Sequence, residues 1–278
     1  MSLVEVNGAT LYYEVRGEGP PFLMIPGTPG YSGHYVPVAE LLADEFTVVT
    51  YDRRGTTRSP SPHGWVGTSV REQADDAAAL LESLELAPAA AFGLSSGGAI
   101  LIDLVLRRPE LLTGAVFHES GPSEMTSDPE AVGALMGGAI DEGMARGGRP
   151  AALESFLRLM CGDEVIDGMG AVELGRFLET ADVVFDVEFA GESFVPTLEA
   201  LRQVQLPCVV TAGAANRPPD APLHFCYEGA QWLAEGLGVA VTEVPGAHVP
   251  QASHPYAFAA VLRAALRDFT ASSSAHAG

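Results

Sequence analysis

The run Gly93-Leu94-Ser95-Ser96-Gly97-Gly98 combines a hydroxyl nucleophile with the glycines that a sharp turn needs. It falls between Ala89 to Phe92, an apolar stretch that reads as a strand, and Gly98 to Arg108, which reads as a helix stopped by Pro109. A Gly-x-Ser-x-Gly in that context lifts the serine hydroxyl clear of a sheet and points a helix N-terminus at the reacting group. Gly93 and Gly97 are expected where neighbouring backbone comes too close for a Cβ. The Ser96 N–H would then face a developing oxyanion.

A second N–H donor is expected from Pro26-Gly27-Thr28-Pro29-Gly30, the loop after an earlier strand, and Thr28 is the donor chosen there. Seven histidines could serve as general base, and position selects His248, in Pro245-Gly246-Ala247-His248-Val249-Pro250, after the last expected strand and before the last helix. His254 is its near competitor but abuts the helix start. His34, His63, His118, His224 and His276 read as surface or packing residues. The acid that orients the base has two candidate loops. Gly213-Ala214-Ala215-Asn216 ends in an Asn, which cannot carry charge; Asp220 lies beyond two prolines; Glu119 follows a strand directly. Glu119 is favoured, Asp220 and the absence of any acid stay as alternatives, and the chain order Ser95, Glu119, His248 suits a Ser-acid-His set. A serine at the turn favours acyl over saturated carbon, through an acyl-enzyme resolved by water.

These residues need a sheet whose strand ends converge. Leu3 to Val6 and Thr10 to Val15 read as a hairpin through Asn7-Gly8. Pro21 to Ile25, Thr47 to Tyr51, Ala89 to Phe92, Leu112 to Phe117, Pro207 to Thr211 and Val239 to Val244 read as further strands. Helices are expected at Tyr35 to Ala43, Val70 to Leu84, Gly98 to Arg108, Glu228 to Leu237 and Pro255 to Phe269. The alternation means a mostly parallel, eight-stranded sheet flanked by helices. Between Gly121 and about Gln205 no strand run is seen, only helix-like stretches at Ala131 to Ala145, Ala151 to Leu159 and Ala171 to Thr180. Residues 122–205 therefore read as a helical cap inserted after strand 6, with 1–121 and 206–278 forming the core domain. The small, polar tail from Thr270 is expected to fray. Met136, Met144, Phe156, Leu159, Met160, Met169, Phe177, Phe185, Phe189 and Phe194 would make an apolar lid, a small core of the cap's own, or both.

Thirty-six acidic against 15 basic residues give a formal charge of −21, which repels nucleic acid and anionic membrane. Apolar runs such as Phe22 to Ile25 are far short of the roughly 20 residues that span a bilayer. The N-terminus carries no visible secretory signal, so a cytoplasmic site is expected. Cys161, Cys208 and Cys226 fit neither a disulfide framework nor a metal knuckle. Neither metal nor cofactor is expected. A homodimer is compatible with the sequence.

With these residues in view, the chain resembles the α/β-hydrolase superfamily over nearly its whole length. Tyr51-Asp52-Arg53-Arg54-Gly55 followed by Arg58-Ser59 is similar to that family's structural strand-end loop. Ser95-Ser96-Gly97, His118-Glu119, Val210-Thr211-Ala212-Gly213-Ala214-Ala215, Pro245-Gly246-Ala247-His248 and Ser253-His254-Pro255 resemble the zearalenone lactonases. That resemblance implies a triad of Ser95, Glu119 and His248 and oxyanion amides at Thr28 and Ser96. It departs from the pattern in two places: the oxyanion loop lacks a His-Gly start, and Trp65 and Trp232 both lie outside the insertion. The implied function is hydrolysis of an ester or lactone of a hydrophobic, uncharged small molecule, of the zearalenone macrolactone or polyketide-like type. C–C bond hydrolysis, cyclisation or peracid formation on the same triad, and a ligand receptor on a hydrolase scaffold, are the alternatives.

Overall fold

The structure, a computed structural model, describes residues 2–191 and 193–276. The chain opens with the hairpin β1 (Ser2–Val6) and β2 (Ala9–Arg16), turned through Asn7 and Gly8, both at positive φ as a tight hairpin turn requires. There follow β3 (Pro21–Ile25), α1 (Val36–Leu42), β4 (Thr47–Tyr51), α2 (Val70–Ser83), β5 (Ala89–Leu94), α3 (Ser96–Arg107) and β6 (Leu112–His118). Among the described residues between β6 and β7 (Cys208–Gly213) lie only helices and loops: α4 (Pro129–Cys161), α5 (Asp163–Gly168), α6 (Ala171–Leu178), α7 (Ala181–Val183), a π-helical turn (Val184–Glu188) and α8 (Leu198–Arg202). The chain closes with α9 (His224–Leu237), β8 (Val241–Val244), α10 (Pro250–Ser253) and α11 (Pro255–His276).

The eight strands form one sheet in the order β1-β2-β4-β3-β5-β6-β7-β8, antiparallel at β1–β2 and β2–β4 and parallel elsewhere. Covered on both faces, the central strands are apolar rather than alternating, and every residue of β5 is buried. Leu80, Leu101 and Leu233 from α2, α3 and α9 belong to one core. Leu42, Phe258 and Leu266 from α1 and α11 belong to the core on the other face. A third cluster, including Leu153, Leu157, Phe177 and Val184, joins the β6–β7 helices to one another and to Tyr31, Leu223 and Cys226.

Sequence expectation and structure differ at a few places. The two helices expected at Ala131 to Ala145 and Ala151 to Leu159 are both present, as the two arms of α4, which is broken by non-helical backbone at Gly147 and Gly148, the latter at φ 70. The tail expected to fray from Thr270 is helical to His276, continuing α11 beyond the buried Phe269; Ala277 and Gly278 lie outside the described residues. The helix expected to begin at Glu228 begins at His224. Among the described residues no helix is long and apolar enough to cross a membrane.

The strand-end segment after β4 is a buried charge network. Asp52 accepts from the Ser32 N–H and Oγ at 2.9 and 2.8 Å and from Arg58 Nε at 2.7 Å. Burial alone would raise its carboxyl, and Arg58, Thr57 and the Ser32 amide more than offset this. Arg54 Nε donates to Asp76 at 2.6 Å. This network pins the loop carrying Thr28, since the Arg53 N–H donates to Gly30 O at 2.9 Å.

Candidate active site

The backbone at Ser95 is held at φ 52, ψ −124, a conformation that costs a non-glycine residue on the order of 1–3 kcal/mol. The turn is enforced by crowding: a Cβ on Gly93 would lie 2.6 Å from Gly97 O, and one on Gly97 would lie 2.4 Å from Ile25 O. No side chain fits at either glycine, so β5 passes into α3 through a single strained residue. Ser95 N donates to His118 O at 3.1 Å, which ties the turn to the end of β6. The Ser95 hydroxyl makes no hydrogen bond among the described residues.

Ser96 is the first residue of α3, where an N–H has no partner within the helix. Thr28 lies beside it: Thr28 Oγ1 and Ser96 Oγ are 3.1 Å apart. Thr28 Oγ1 also donates to Glu188 Oε2 at 3.0 Å, and Arg53 Nη2 lies 2.8 Å from Glu188 Oε1, a close approach without hydrogen-bond geometry. No sequence signal pointed to Glu188, whose partners come from two distant loops.

Glu119 follows β6 at φ 45, a second strained non-glycine residue, its N–H bound to Thr211 O at 3.1 Å. Its carboxylate is fully engaged. Oε1 accepts from the Gly213 N–H and Asn216 Nδ2, both at 2.9 Å; Oε2 lies 3.0 Å from Asn216 Nδ2 and 2.7 Å from His248 Nδ1. Burial would raise this carboxyl, but the hydrogen bond to His248, the neighbouring His118 and His248, and the Asn216 amide hold it below the ordinary range. Asn216 occupies the place where an acid was sought and instead donates to the acid on the adjacent loop. Asp220 is exposed, and among the described residues no hydrogen bond or ion pair joins it to this group.

His248 is 4% exposed, on the loop between β8 and α10. His254 is exposed and outside the cavity, its Nδ1 3.0 Å from Ser253 Oγ. His34, expected at the surface or in packing, packs against the Tyr35 and Phe177 rings and also lines the cavity. His118 is buried behind Glu119, its Nδ1 2.9 Å from Thr211 Oγ1.

Burial, with His248 nearby and against the pull of Glu119, lowers the His118 imidazole from 6.5 to about 4. Above pH 6.5 both folded and unfolded chains hold it neutral. As pH falls from there towards 4, the unfolded chain takes up a proton that the folded chain refuses, so stability is lost through that window at up to about 1.4 kcal/mol per pH unit for one group. His118→Phe is expected to flatten that slope in urea unfolding between pH 7 and 4.5; an unchanged slope would assign the loss to other groups.

Thr28, Ser95, Ser96, Glu119 and His248 all line one cavity of about 390 Å³, within the range of small-molecule sites. Its remaining wall is largely apolar, and much of it comes from the segment between β6 and β7, including Met136, Phe156, Met160, Phe177, Phe189 and Phe194. Met169 lines it too, whereas Met144 is exposed and Leu159 and Phe185 pack on the third core. The cysteines are free. Cys161 and Cys226 line the cavity, and burial pushes the Cys161 thiol up to about 12 and Cys226 well above its ordinary value. Glu119, Cys226 and His248 present ligand atoms within 4.8 Å of one another, but a protonated thiol and a carboxylate already accepting from Gly213 and Asn216 make a poor cation site.

The family model for the alpha/beta hydrolase fold matches residues 20–152. The chain is 32% identical over 250 residues to an uncharacterized hydrolase, YraK, of Bacillus subtilis (strain 168), covering 88% of each chain. It is 27% identical over 259 residues to a zearalenone hydrolase of Bionectria ochroleuca, covering 91% of this chain and 92% of the relative. Among solved structures, a thermophilic esterase from Thermogutta terrifontis superposes with a TM-score of 0.75 at 20% identity, over 97% of this chain and 99% of that one. The sheet order, the strained serine turn and a full-length relative at this identity place the protein among the hydrolases: the chain belongs to the α/β-hydrolase family.

Proposed function

We propose that this hydrolase cleaves an ester or lactone of a hydrophobic, uncharged small molecule through an acyl-enzyme on Ser95. The observation that carries the reading is the 2.7 Å contact between Glu119 Oε2 and His248 Nδ1 beside a strained serine, all opening on one largely apolar cavity. Glu119 fixes the His248 tautomer with Nδ1–H towards the carboxylate, leaving Nε2 to accept the Ser95 proton as the hydroxyl attacks the carbonyl. The negative charge that develops on the carbonyl oxygen falls to the Thr28 and Ser96 N–H groups and the N-terminus of α3. His248 then gives the proton to the leaving alkoxide and takes one from the water that resolves the ester. Ser95 and His248 make no hydrogen bond to each other among the described residues, and catalytic contacts of this kind tighten when substrate is bound.

Residues 122–205 act in this reading as a cap over the core of 1–121 and 206–278, its methionines and phenylalanines setting the preference for apolar substrates. A lactone of the zearalenone type suits the wall, and the 27% identical relative named as a zearalenone hydrolase supports it. Turnover of a panel of aryl esters and macrocyclic lactones, zearalenone included, tests the reading: at least one is expected to be hydrolysed, and inertness towards all would move C–C bond chemistry or ligand binding to the front.

Glu188 ties the cap to the oxyanion loop in this account. Glu188→Ala is expected to lower kcat about 10-fold with a smaller change in KM, a fraction of the 10²–10³ lost when an oxyanion donor is removed outright. Steady-state kinetics check it, and a loss confined to KM would mean that Glu188 serves only cap closure.

A further inference from the structure

Gln251 is fully buried, and neither its Oε1 nor its Nε2 makes a hydrogen bond to any group among the described residues. It is on α10, one turn beyond His248, and lines the candidate cavity. Helix α10 packs against the 3-10 turn Gly33–Tyr35. That turn carries His34, which lines the same cavity and whose buried Nδ1 makes no hydrogen bond of ordinary geometry, the Tyr31 backbone lying near the ring. Burial, against the pull of Asp52 and the Tyr31 backbone, lowers the His34 imidazole to about 4, so it is uncharged at neutral pH. These two polar side chains, on contacting elements, thus stand in the cavity wall apart from the triad and the oxyanion residues, with buried polar atoms that make no hydrogen bond.

An amide with both its donor and its acceptor buried and unpaired carries a desolvation penalty that a hydrophobic side chain of the same shape would avoid. The triad does not use Gln251: Glu119 is satisfied by Gly213, Asn216 and His248. A ligand group that donates and accepts at once recovers the penalty. A charged group does not suit the place, because neither Gln251 nor a neutral His34 offers a counter-charge.

We infer that Gln251, with His34, forms a polar subsite of the substrate cavity that reads a neutral donor–acceptor group, a hydroxyl or a primary carboxamide, carried by the substrate away from its scissile carbonyl. The inference rests on the ester or lactone hydrolase reading and narrows it: the preferred substrate is an apolar acyl compound with one such group, not a pure hydrocarbon ester. Sites built to pair a buried polar group discriminate against analogues that lack the partner.

The test uses the full-length enzyme and matched aryl esters that differ only in one remote substituent: hydroxyl, carboxamide or methyl, placed in the acyl part in one series and in the alcohol part in the other. In at least one series the hydroxyl or carboxamide ester is expected to exceed the methyl ester in kcat/KM by roughly 10- to 100-fold, the factor set by leaving a buried amide unpaired. Whichever polar substituent wins identifies the group that is read. Gln251→Met, close in shape, is expected to bring that ratio near one, and His34→Phe to reduce it. A wild-type ratio near one in both series overturns the subsite without need of any variant. So does a ratio that survives Gln251→Met, or equal loss on polar and methyl esters, which would make Gln251 a structural residue. Failure of the hydrolase reading looks different: wild type then turns over no member of either series.

Discussion

Ser95→Ala is expected to lower kcat/KM on the best ester or lactone by about 10⁴- to 10⁶-fold, the range seen when the nucleophile of such a triad is removed. The fold should tolerate the change. The Ser95 hydroxyl makes no hydrogen bond among the described residues, whereas its backbone is held by His118 O and by the crowding around Gly93 and Gly97. The midpoint of thermal unfolding is therefore expected to stay within a few degrees of wild type, or to rise, since strained catalytic turns exchange stability for activity. Kinetics and thermal unfolding on one preparation check both halves. A variant that keeps most of its activity would remove Ser95 from the chemistry.

Glu119→Gln is expected to cost about 10⁴-fold in kcat, close to the loss when a triad carboxylate becomes an amide. In the wild type the carboxylate only accepts: Gly213 N–H and Asn216 Nδ2 at Oε1, His248 at Oε2. With the amide oxygen held by Gly213 and Asn216, the amide NH₂ would face His248 Nδ1 and favour the tautomer whose Nε2 already bears a proton, useless as a base. Asn216→Ala should cost far less, about 10-fold, because it removes one donor to Glu119 and lets that carboxyl rise towards its ordinary range. Asp220→Asn, an exposed site, should change nothing. The ranking Glu119→Gln, Asn216→Ala, Asp220→Asn in kcat, with circular dichroism to confirm folding, checks the assignment; a large loss at Asp220 with little at Glu119 would reverse it.

How far the sequence could be read depended on the range of the interaction concerned. The serine turn was legible because its motif is contiguous in the chain: Gly93 meets Gly97 and Gly98, although the crowding at Gly97 comes from Ile25 and Pro26 at the end of β3. His248 was legible from its place after the last strand. The two loops competing for the acid lie on adjacent strands, β6 and β7, and sequence could weigh but not exclude either. The structure puts Glu119 on His248 and gives Asn216 the part of donor. In the cap, composition marked the apolar residues without showing where each points. Met136 reaches the cavity while Met144, two turns along the same helix, is exposed, because that depends on how α4 packs beyond the reach of its own pattern. His34, Glu188 and Gln251 carried no motif at all. Each is a single polar residue whose meaning comes from partners, or the lack of them, in distant segments.

Covalent trapping tests the central claim most directly. Incubation of the enzyme with a fluorophosphonate, followed by intact-mass and peptide mapping, is expected to place one adduct per chain on Ser95. Turnover of the best ester or lactone should fall in proportion to labelling, and Glu119→Gln should label far more slowly. Full turnover with Ser95 unlabelled, or inactivation by an adduct on another residue, would contradict an acyl-enzyme on Ser95.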